Sequence, residues 1–353
     1  MSSTQQWMIY GAYGYTGELM AREAVRRGMR PVLAGRSAWK LLPLAKELGL
    51  EYRAFDVALA QANVAGMSAV LNCAGPFSST AQAWVEACLN ARAHYIDISG
   101  EISVFQMCYA KDAEAEKAGI ILCPGAGFDI VPTDCLAAML KHQLPDAQTI
   151  DLAFSFGTRP SVGTARTIVE SAKEGGLIRR DHALQAVGNG HCLRRIRFPG
   201  GARWSVTIPW GDVYTSGIST GVPNGMVYTA LPLALGLLMR ISSPFRGLMA
   251  TAWAQKWLDR LAVRLFGGGP DAEARENQRS EFWGEAVSAS GKRVSATISA
   301  PNVYALTVDT ALTLTQHCLN ATSQAGYFTP SILMGHEMIA SRPGVEVRTH
   351  FSD

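Results

Sequence analysis

Three glycines spaced G-x-x-G-x-x-G, Gly11, Gly14 and Gly17, separate the apolar run Trp7-Met8-Ile9-Tyr10 from a segment of helical period. Glycine accepts a positive φ and lets a ligand approach the backbone. A helix that opens directly behind such a turn offers unpaired N–H groups and a partial positive charge. Strand, glycine turn and helix therefore make a seat for a dinucleotide pyrophosphate. Met20 with Ala24, and Ala21 with Val25, keep the i,i+4 spacing, and Gly28 stands where a helix stop belongs. A βα turn without a ligand uses the same glycines, so the context behind them carries the weight. Pro31-Val32-Leu33-Ala34 reads as a second strand and runs into Gly35-Arg36-Ser37. An NAD site usually places Asp or Glu there for the ribose 2′-hydroxyl, whereas here Arg36 ends the strand. A guanidinium suits a 2′-phosphate, with charge-assisted and often bidentate contacts. The residues favour NADP(H) over NAD(H).

The elements that must position these groups alternate. Leu41–Leu48 reads as helix, 51–55 as strand ending at Asp56, 69–73 as buried strand, 81–91 as helix and 94–98 as strand. A helix over 104–118 stops at Gly119, a strand follows at 120–123, and 132–142 is a helix with proline in its first turn. Strands alternating with helices predict a doubly wound parallel sheet, whose ligand lies beyond the carboxyl ends of the strands. Those ends carry Ala74-Gly75-Pro76-Phe77, then Asp97-Ile98-Ser99-Gly100-Glu101, then Gly127-Phe128-Asp129 and Thr133-Asp134. Their carboxylates are acid–base candidates, and they are equally suited to turns and helix caps.

These blocks bring a family into view. Gly11–Gly17, Ala34-Gly35-Arg36, Asn72–Phe77, Tyr95–Glu101 and Gly127–Asp134 resemble, in order, the blocks of the saccharopine dehydrogenase family. They are most similar to its saccharopine dehydrogenase-like oxidoreductase branch, which includes trans-acting enoyl reductases. The resemblance implies an NADP-binding Rossmann domain with the glycine loop on the pyrophosphate, Arg36 near the adenosine ribose and the Ala74–Phe77 loop near the nicotinamide. The expected cofactor contacts are Gly11, Tyr13, Gly14, Tyr15, Thr16 and Gly17 in the turn, and Gly35, Arg36 and Ser37 after the second strand. Asp56 at the third strand end and Cys73, Ala74, Gly75 and Pro76 after the fourth complete the set. Ser78-Ser79-Thr80-Ala81 departs from the aromatic-glycine pair of the family pattern.

Beyond about residue 148 the period changes. Segments 150–156, 203–208 and 213–218 read as strands, and 282–289 and 292–300 flank the hairpin signal Ser290-Gly291. Val294, Ala296, Ile298 and Ala300 alternate with Ser295, Thr297 and Ser299, as on a sheet with one polar face. The fold class expected is α/β, a Rossmann doubly wound parallel sheet with a second α+β domain on a mostly antiparallel sheet. The expected boundaries are 1–147 for the NADP-binding domain, with 324–353 returning to it, and 148–323 for a substrate and dimerisation domain. A helix is expected over 304–320, and another over 331–340 behind Gly326-Tyr327-Phe328-Thr329-Pro330. The apolar stretch 226–239 is too short to span a membrane and reads as a core or re-entrant helix. Segment 248–266 is amphipathic, with Trp253, Trp257, Leu261 and Leu265 near Lys256, Arg260 and Arg264. It suits packing on the second domain, or contact with a membrane surface. Gly267-Gly268-Gly269-Pro270 through Arg279 is the most linker-like stretch.

At 353 residues the chain exceeds one ordinary domain. Lysine plus arginine (32) nearly balances aspartate plus glutamate (29), which gives no argument for a nucleic-acid partner. Seven scattered cysteines without a C-x-x-C pair indicate neither zinc nor a disulfide framework. No metal is expected, and the absence of a basic leader segment suits a cytoplasmic protein, peripheral to a membrane if 248–266 lies on one. The proton-donor candidates are Tyr13, Asp97, Glu101 and Asp129. A saccharopine-type substrate needs fixed cations, for which Arg159, Arg166, Arg179 and Arg180 are available. Three readings follow: an NADPH-dependent oxidoreductase such as an enoyl reductase on a hydrophobic acyl or lipid substrate, a saccharopine-type dehydrogenase or imine reductase on an amino-acid adduct, and a non-catalytic NADP-binding scaffold at a membrane. A homodimer is expected from the uncovered face or edge of the second sheet.

Overall fold

The computed structural model describes residues 5–156, 175–243, 278–321 and 323–352. Arg159, Arg166, the 248–266 segment and the glycine-rich 267–277 stretch lie outside the described residues. Two compact units result, 1–131 with 304–335 and 132–303 with 336–353.

The first unit alternates β1 (Trp7–Tyr10), α1 (Tyr15–Arg26), β2 (Val32–Gly35), α2 (Ala38–Leu48), β3 (Tyr52–Ala54), α3 (Ala60–Asn63), β4 (Ala69–Asn72) and α4 (Phe77–Ala91). It continues with β5 (His94–Asp97), α5 (Ile102–Tyr109), α6 (Asp112–Ala118) and β6 (Ile121–Cys123), and a short return strand β15 (Gly326–Tyr327) joins β6. The seven strands are ordered β15-β6-β5-β4-β1-β2-β3. Every pair is parallel. β1, β2 and β4 are buried at every residue, as both faces of a parallel sheet require. Because β2 and β4 flank β1, the strand order reverses there, and the glycine turn sits at the switch point. The single helix expected over 104–118 is two, broken at Ala110–Lys111, and it does end at Gly119 in left-handed conformation (φ 71°).

The second unit begins on α7 (Val131–Gln143) and is built on β7 (Ala147–Ser155), β8 (Gly176–Arg180), β9 (Ala183–Val187), β10 (Leu193–Phe198), β11 (Gly201–Thr207), β12 (Asn224–Ala230), β13 (Ser280–Ser288), β14 (Arg293–Ala300) and β16 (Glu346–Ser352). The main path runs β10-β11-β12-β7-β13-β14-β16, with β8 and β9 attached to β12. β12 and β7 are parallel and the other pairs antiparallel. The β13–β14 hairpin forms at Ser290-Gly291, where Gly291 has φ 86°.

Several boundaries differ from those expected, for physical reasons. α7 belongs with the second unit, since Gly284 of β13 leaves room for Leu136 and Leu140 against the sheet. The Val303–Asn320 helix belongs with the first, where Asp309 meets Arg27 at the end of α1. Only 326–335 returns to the first sheet, because β16 pairs along β14 instead. The strand expected at 213–218 is a helix, Asp212–Thr220, stopped at Gly221 with φ 66°. Its β-branched residues fit because hydroxyls bond back along it, Ser216 to the Asp212 carbonyl and Thr220 to the Ser216 carbonyl. The 226–239 stretch is not one helix: it is the end of β12, then Pro232, then a helix Leu233–Ser242. Behind β15, helix runs only over Pro330–Met334, with a 3-10 turn at His336–Met338.

Candidate functional site

The glycine turn is shaped by three different demands. Gly11 takes φ +84°, and a Cβ on it would stand 3.0 Å from the Ala74 nitrogen and the Cys73 carbonyl carbon. Gly17 lies deeper: a Cβ there would come within 2.3 Å of the Gly11 oxygen, so it lets α1 rest against the turn. Gly14 is the N-cap of α1 with φ −70° and ψ 157°, conformationally open to any residue, and it is exposed. An added Cβ meets only the Gly11 oxygen, at 3.2 Å. What Gly14 keeps clear is the space in front of the helix N-terminus, a position suited to a pyrophosphate. The turn fits the group that its spacing predicts.

Beyond β2, Gly35 is bare because the Tyr13 ring lies on it; a Cβ there would meet Tyr13 Cε1 at 2.7 Å. Lys40 Nζ stands 5.3 Å from the centre of that ring and 5.1 Å from the Trp39 ring, and Trp39 is 73% exposed. Arg36 is exposed, Ser37 is the N-cap of α2, and Asp56 accepts from the Ala58 N–H at 3.1 Å just past β3. Tyr13 therefore sits on the adenosine side of the switch point, with Arg36 and Lys40. Tyr13, expected as a proton-donor candidate, is thus placed beside Gly35 and Lys40. Lys40 escaped the sequence reading, although its position four residues after Arg36 in the same strand-to-helix turn was a usable signal. Tyr15 is 57% exposed and its ring packs edge-on to Tyr304 at 4.7 Å.

On the other side of β1 a buried polar chain ties three strand ends together. Asn72 Oδ1 accepts from the Ala74 N–H at 3.1 Å, and its amide donates to Thr80 Oγ1 (3.1 Å) and the Tyr95 hydroxyl (3.4 Å). The Thr80 hydroxyl donates to the Ala74 carbonyl at 2.8 Å, so the loop before α4 is fixed from both sides. The residue that departs from the family pattern thus has a structural task. Tyr95 donates to Asp97 Oδ2 at 2.7 Å, and Asp97 Oδ1 accepts from the N–H groups of Ser99 and Gly125, each at 2.9 Å. Burial raises the Asp97 carboxyl to about 6, against the pull of those hydrogen bonds. Glu101 accepts from the Phe77 and Ser78 N–H groups, both at 2.8 Å, and so closes the N-terminus of α4. Asp97 and Glu101, two of the expected proton-donor candidates, hold these loops together.

Asp129 differs. It follows β6 beside Gly100, where an added Cβ would stand 3.2 Å from the Asp129 Cβ and 3.3 Å from Oδ2. Its loop is anchored by Thr307, whose hydroxyl accepts from the Phe128 N–H at 3.0 Å, and by Thr310, which donates to the Ala126 carbonyl at 2.8 Å. Burial pushes its carboxyl up to about 7, where both protonation states are populated near neutral pH. Cys73 packs at 3.3 Å from Met20 sulfur, and burial holds its thiol protonated. A depression of about 490 Å³ bordered by Trp7, Arg30, Val32, Glu51 and Asn320 opens at the opposite, N-terminal ends of β1 and β2. None of the cofactor-side residues lines it, and parallel sheets bind ligands at their carboxyl ends.

Residues 7–123 match the family described as saccharopine dehydrogenase NADP binding domain. This part of the chain is similar to that domain. NADP(H) is thereby its cofactor, as Arg36 implied. A saccharopine dehydrogenase-like oxidoreductase from Bos taurus is 29% identical over 150 residues, 36% of this chain and 35% of that protein. A Caenorhabditis elegans protein named lipid droplet localized protein is 27% identical over 192 residues, 46% of this chain and 43% of its own. The matched region thus spans well under two thirds of these relatives. Apo saccharopine dehydrogenase (L-Glu forming) from Saccharomyces cerevisiae superposes with a TM-score of 0.68 over 99% of this chain and 100% of that one, at 11% identity. The shared fold therefore extends beyond residue 123 into the second unit.

The arginines weighed as substrate cations do not converge among the described residues. Arg179 is buried, and its guanidinium donates to the carbonyls of Val213 and Val222 and to the Ser216 hydroxyl. Arg180, its neighbour along β8, is exposed.

Proposed function

We propose that the chain is an NADPH-dependent oxidoreductase, an enoyl reductase acting on a hydrophobic acyl or lipid substrate, peripheral to a membrane. The observation that carries the cofactor half is the pairing of a pyrophosphate turn with Arg36 and Lys40 beyond β2. The relatives' name, saccharopine dehydrogenase-like oxidoreductase, supports redox chemistry. Bound NADPH supplies a hydride, and the chain's own residues must orient it, exclude water and place a proton. The Asn72–Thr80 pair fixes the loop assigned to the nicotinamide, and Asp129 is the proton donor on this reading.

The hydrophobic half is supported by what three arginines among the described residues of the second unit do with their charge. Arg194 is spent on Glu285 (2.8 Å), Arg203 on Glu281 (2.6 Å), and Arg179 on carbonyls. A dicarboxylate adduct needs cations left over for it, since burying an unpaired carboxylate is prohibitive. An acyl chain needs only an apolar groove, at about 0.8 kcal/mol per buried methylene. The Caenorhabditis elegans relative's name fits a lipid surface as well. A homodimer through the edge of β16, which pairs with no further strand among the described residues, completes the reading; a monomer mass in light scattering removes that part.

The test compares NADPH oxidation with a long-chain α,β-unsaturated thioester and with α-aminoadipate semialdehyde plus glutamate at equal concentration. The thioester is expected to be reduced faster, at a rate that falls as pH rises through about 7 while Asp129 loses its proton. Asp129→Asn should bind NADPH normally and turn over about 10²-fold or more slowly. Turnover confined to the amino-acid pair makes the chain a saccharopine-type dehydrogenase instead. Tight NADPH binding without turnover on either makes it a scaffold.

A further inference from the structure

The Leu233–Ser242 helix carries its apolar side chains outward. Leu233, Leu237, Leu238 and Ile241 are 37%, 42%, 60% and 68% exposed. Single exposed leucines are ordinary, but four along one short helix are a contiguous apolar stripe of the kind that marks a contact surface. The helix is held to its own unit by the side opposite the stripe. Gly236 is buried, and a Cβ on it would stand 2.6 Å from Leu193 Cδ2 and 3.6 Å from Val206 Cβ.

Those two contacts fix where the stripe lies. Leu193 opposes Val206 across the β10–β11 hairpin, and side chains two residues apart share a face. The same outer face therefore continues with Arg195 opposite Trp204 and Arg197 opposite Ala202. Arg195 and Arg197 are exposed, and Trp204 is 40% exposed. The inner face of this hairpin is occupied otherwise: Ile196 and Phe198 join Tyr228 and Trp283 in a buried cluster, and Arg194 and Arg203 reach carboxylates of β13. Arg240 is exposed on the helix itself.

The charge of this region is one-sided. From His182 to Ser243 the only carboxylate is Asp212, which is fully buried, against five arginines, of which Arg195, Arg197 and Arg240 face outward. A surface of leucine, isoleucine and tryptophan bordered by arginines, with no exposed carboxylate between His182 and Ser243, matches one chemistry well. Apolar side chains enter the acyl boundary, tryptophan sits at headgroup level, and arginines meet lipid phosphate. A second copy of the chain fits worse, because two-fold pairing of this face sets its arginines against one another.

We propose that the Leu233–Ser242 helix and the outer face of the β10–β11 hairpin form a docking surface for an anionic lipid membrane, in which Leu237, Leu238 and Ile241 insert and Arg195, Arg197 and Arg240 bind headgroup phosphate. The inference gives the membrane-peripheral reading above a place in the fold, and it is separable from the redox chemistry.

The experiment is sedimentation of the full chain with vesicles of phosphatidylcholine, alone or with 30 mol% phosphatidylserine, with NADPH affinity measured on the same samples. Binding is expected to the anionic vesicles and to weaken with salt. Arg195→Gln with Arg197→Gln should lower it about 25-fold, at about fivefold per arginine near a charged surface. Leu238→Glu with Ile241→Glu should abolish it. Both variants should keep wild-type NADPH affinity and melting temperature. Wild-type protein that stays in the supernatant overturns the proposal while leaving the NADPH reading intact. So does binding unchanged by the arginine pair. A melting temperature that drops by several degrees in the glutamate variant means another part of the chain covers the stripe. A mass that falls from dimer to monomer means a second copy does. Loss of NADPH binding in the wild type would instead count against the cofactor reading.

Discussion

The two units use glycine and arginine for opposite ends. In the first, Gly17 and Gly35 make room for the chain itself, but Gly14 is exposed and almost nothing in the chain would touch its side chain. In the second, glycines clear space for the protein itself. A Cβ on Gly225 would stand 2.9 Å from Arg179 Nη2, and one on Gly217 would stand 2.9 Å from Arg179 Cδ. Arg36 is exposed beyond a strand end, whereas Arg179 is buried and binds carbonyls. On the proposed function, position relative to solvent, not residue type, separates recognition from architecture.

That contrast also explains what could be read from the sequence. The first unit is legible because its constraints are local. A positive-φ turn needs glycine at Gly11, a helix stop needs it at Gly119, and a two-sided parallel sheet needs apolar runs such as Ala69–Leu71. The second unit answers to partners distant in sequence. β12 pairs with β7 some 75 positions away and with β11 nearby, and no local period announces either. Val213–Ile218 alternates like a strand, yet hydroxyl back-bonds and contact with Arg179 make it a helix. β8 to β10 were missed because their exposed arginines and glutamine dilute any alternation. In the site, Arg36 and the glycines were visible, while the jobs of Asp97, Glu101 and Thr80 were not. A hydrogen bond between strand ends leaves no mark in spacing.

The largest effects should come from the glycine turn, and two substitutions there break the comparison differently. Gly14→Val keeps the backbone within its φ and ψ and fills the pyrophosphate space, so NADPH binding should vanish while the melting temperature holds. Gly17→Val meets the Gly11 oxygen and should cost stability too, by about 1–3 kcal/mol for overpacking. Equal stability losses in both would erase the distinction between ligand space and packing space. Unchanged NADPH affinity in folded Gly14→Val would end the phosphate-loop assignment.

Arg179→Met is the reciprocal experiment in the second unit. It removes donors from the carbonyls of Val213 and Val222, and each buried acceptor left unsatisfied costs about 1–3 kcal/mol. Thermal unfolding should shift down accordingly, with NADPH affinity unchanged below the transition. An affinity that falls in the folded variant would place Arg179 in recognition after all.

The smallest effect is the most selective. Arg36 and Lys40 are both exposed, so water and salt weaken whatever they contribute, and neither is needed for the fold. A hydrogen bond to a charged group is worth about 1.5–3 kcal/mol, which makes Arg36→Ala roughly ten- to hundredfold weaker for NADPH. Lys40 stands over the Tyr13 ring and acts as a point charge, so Lys40→Ala should cost less, about fivefold or under. Neither change should alter NADH affinity, because NADH lacks the 2′-phosphate that both would meet. The informative quantity is therefore the ratio of NADPH to NADH affinity, taken by fluorescence titration at two salt concentrations. It should fall in both variants, more for Arg36, and the Lys40 effect should shrink at high salt. Parallel losses for the two cofactors would move these side chains off the 2′-phosphate. A Lys40 effect confined to protein stability would return it to the class that Arg179 represents, a cation that serves the fold.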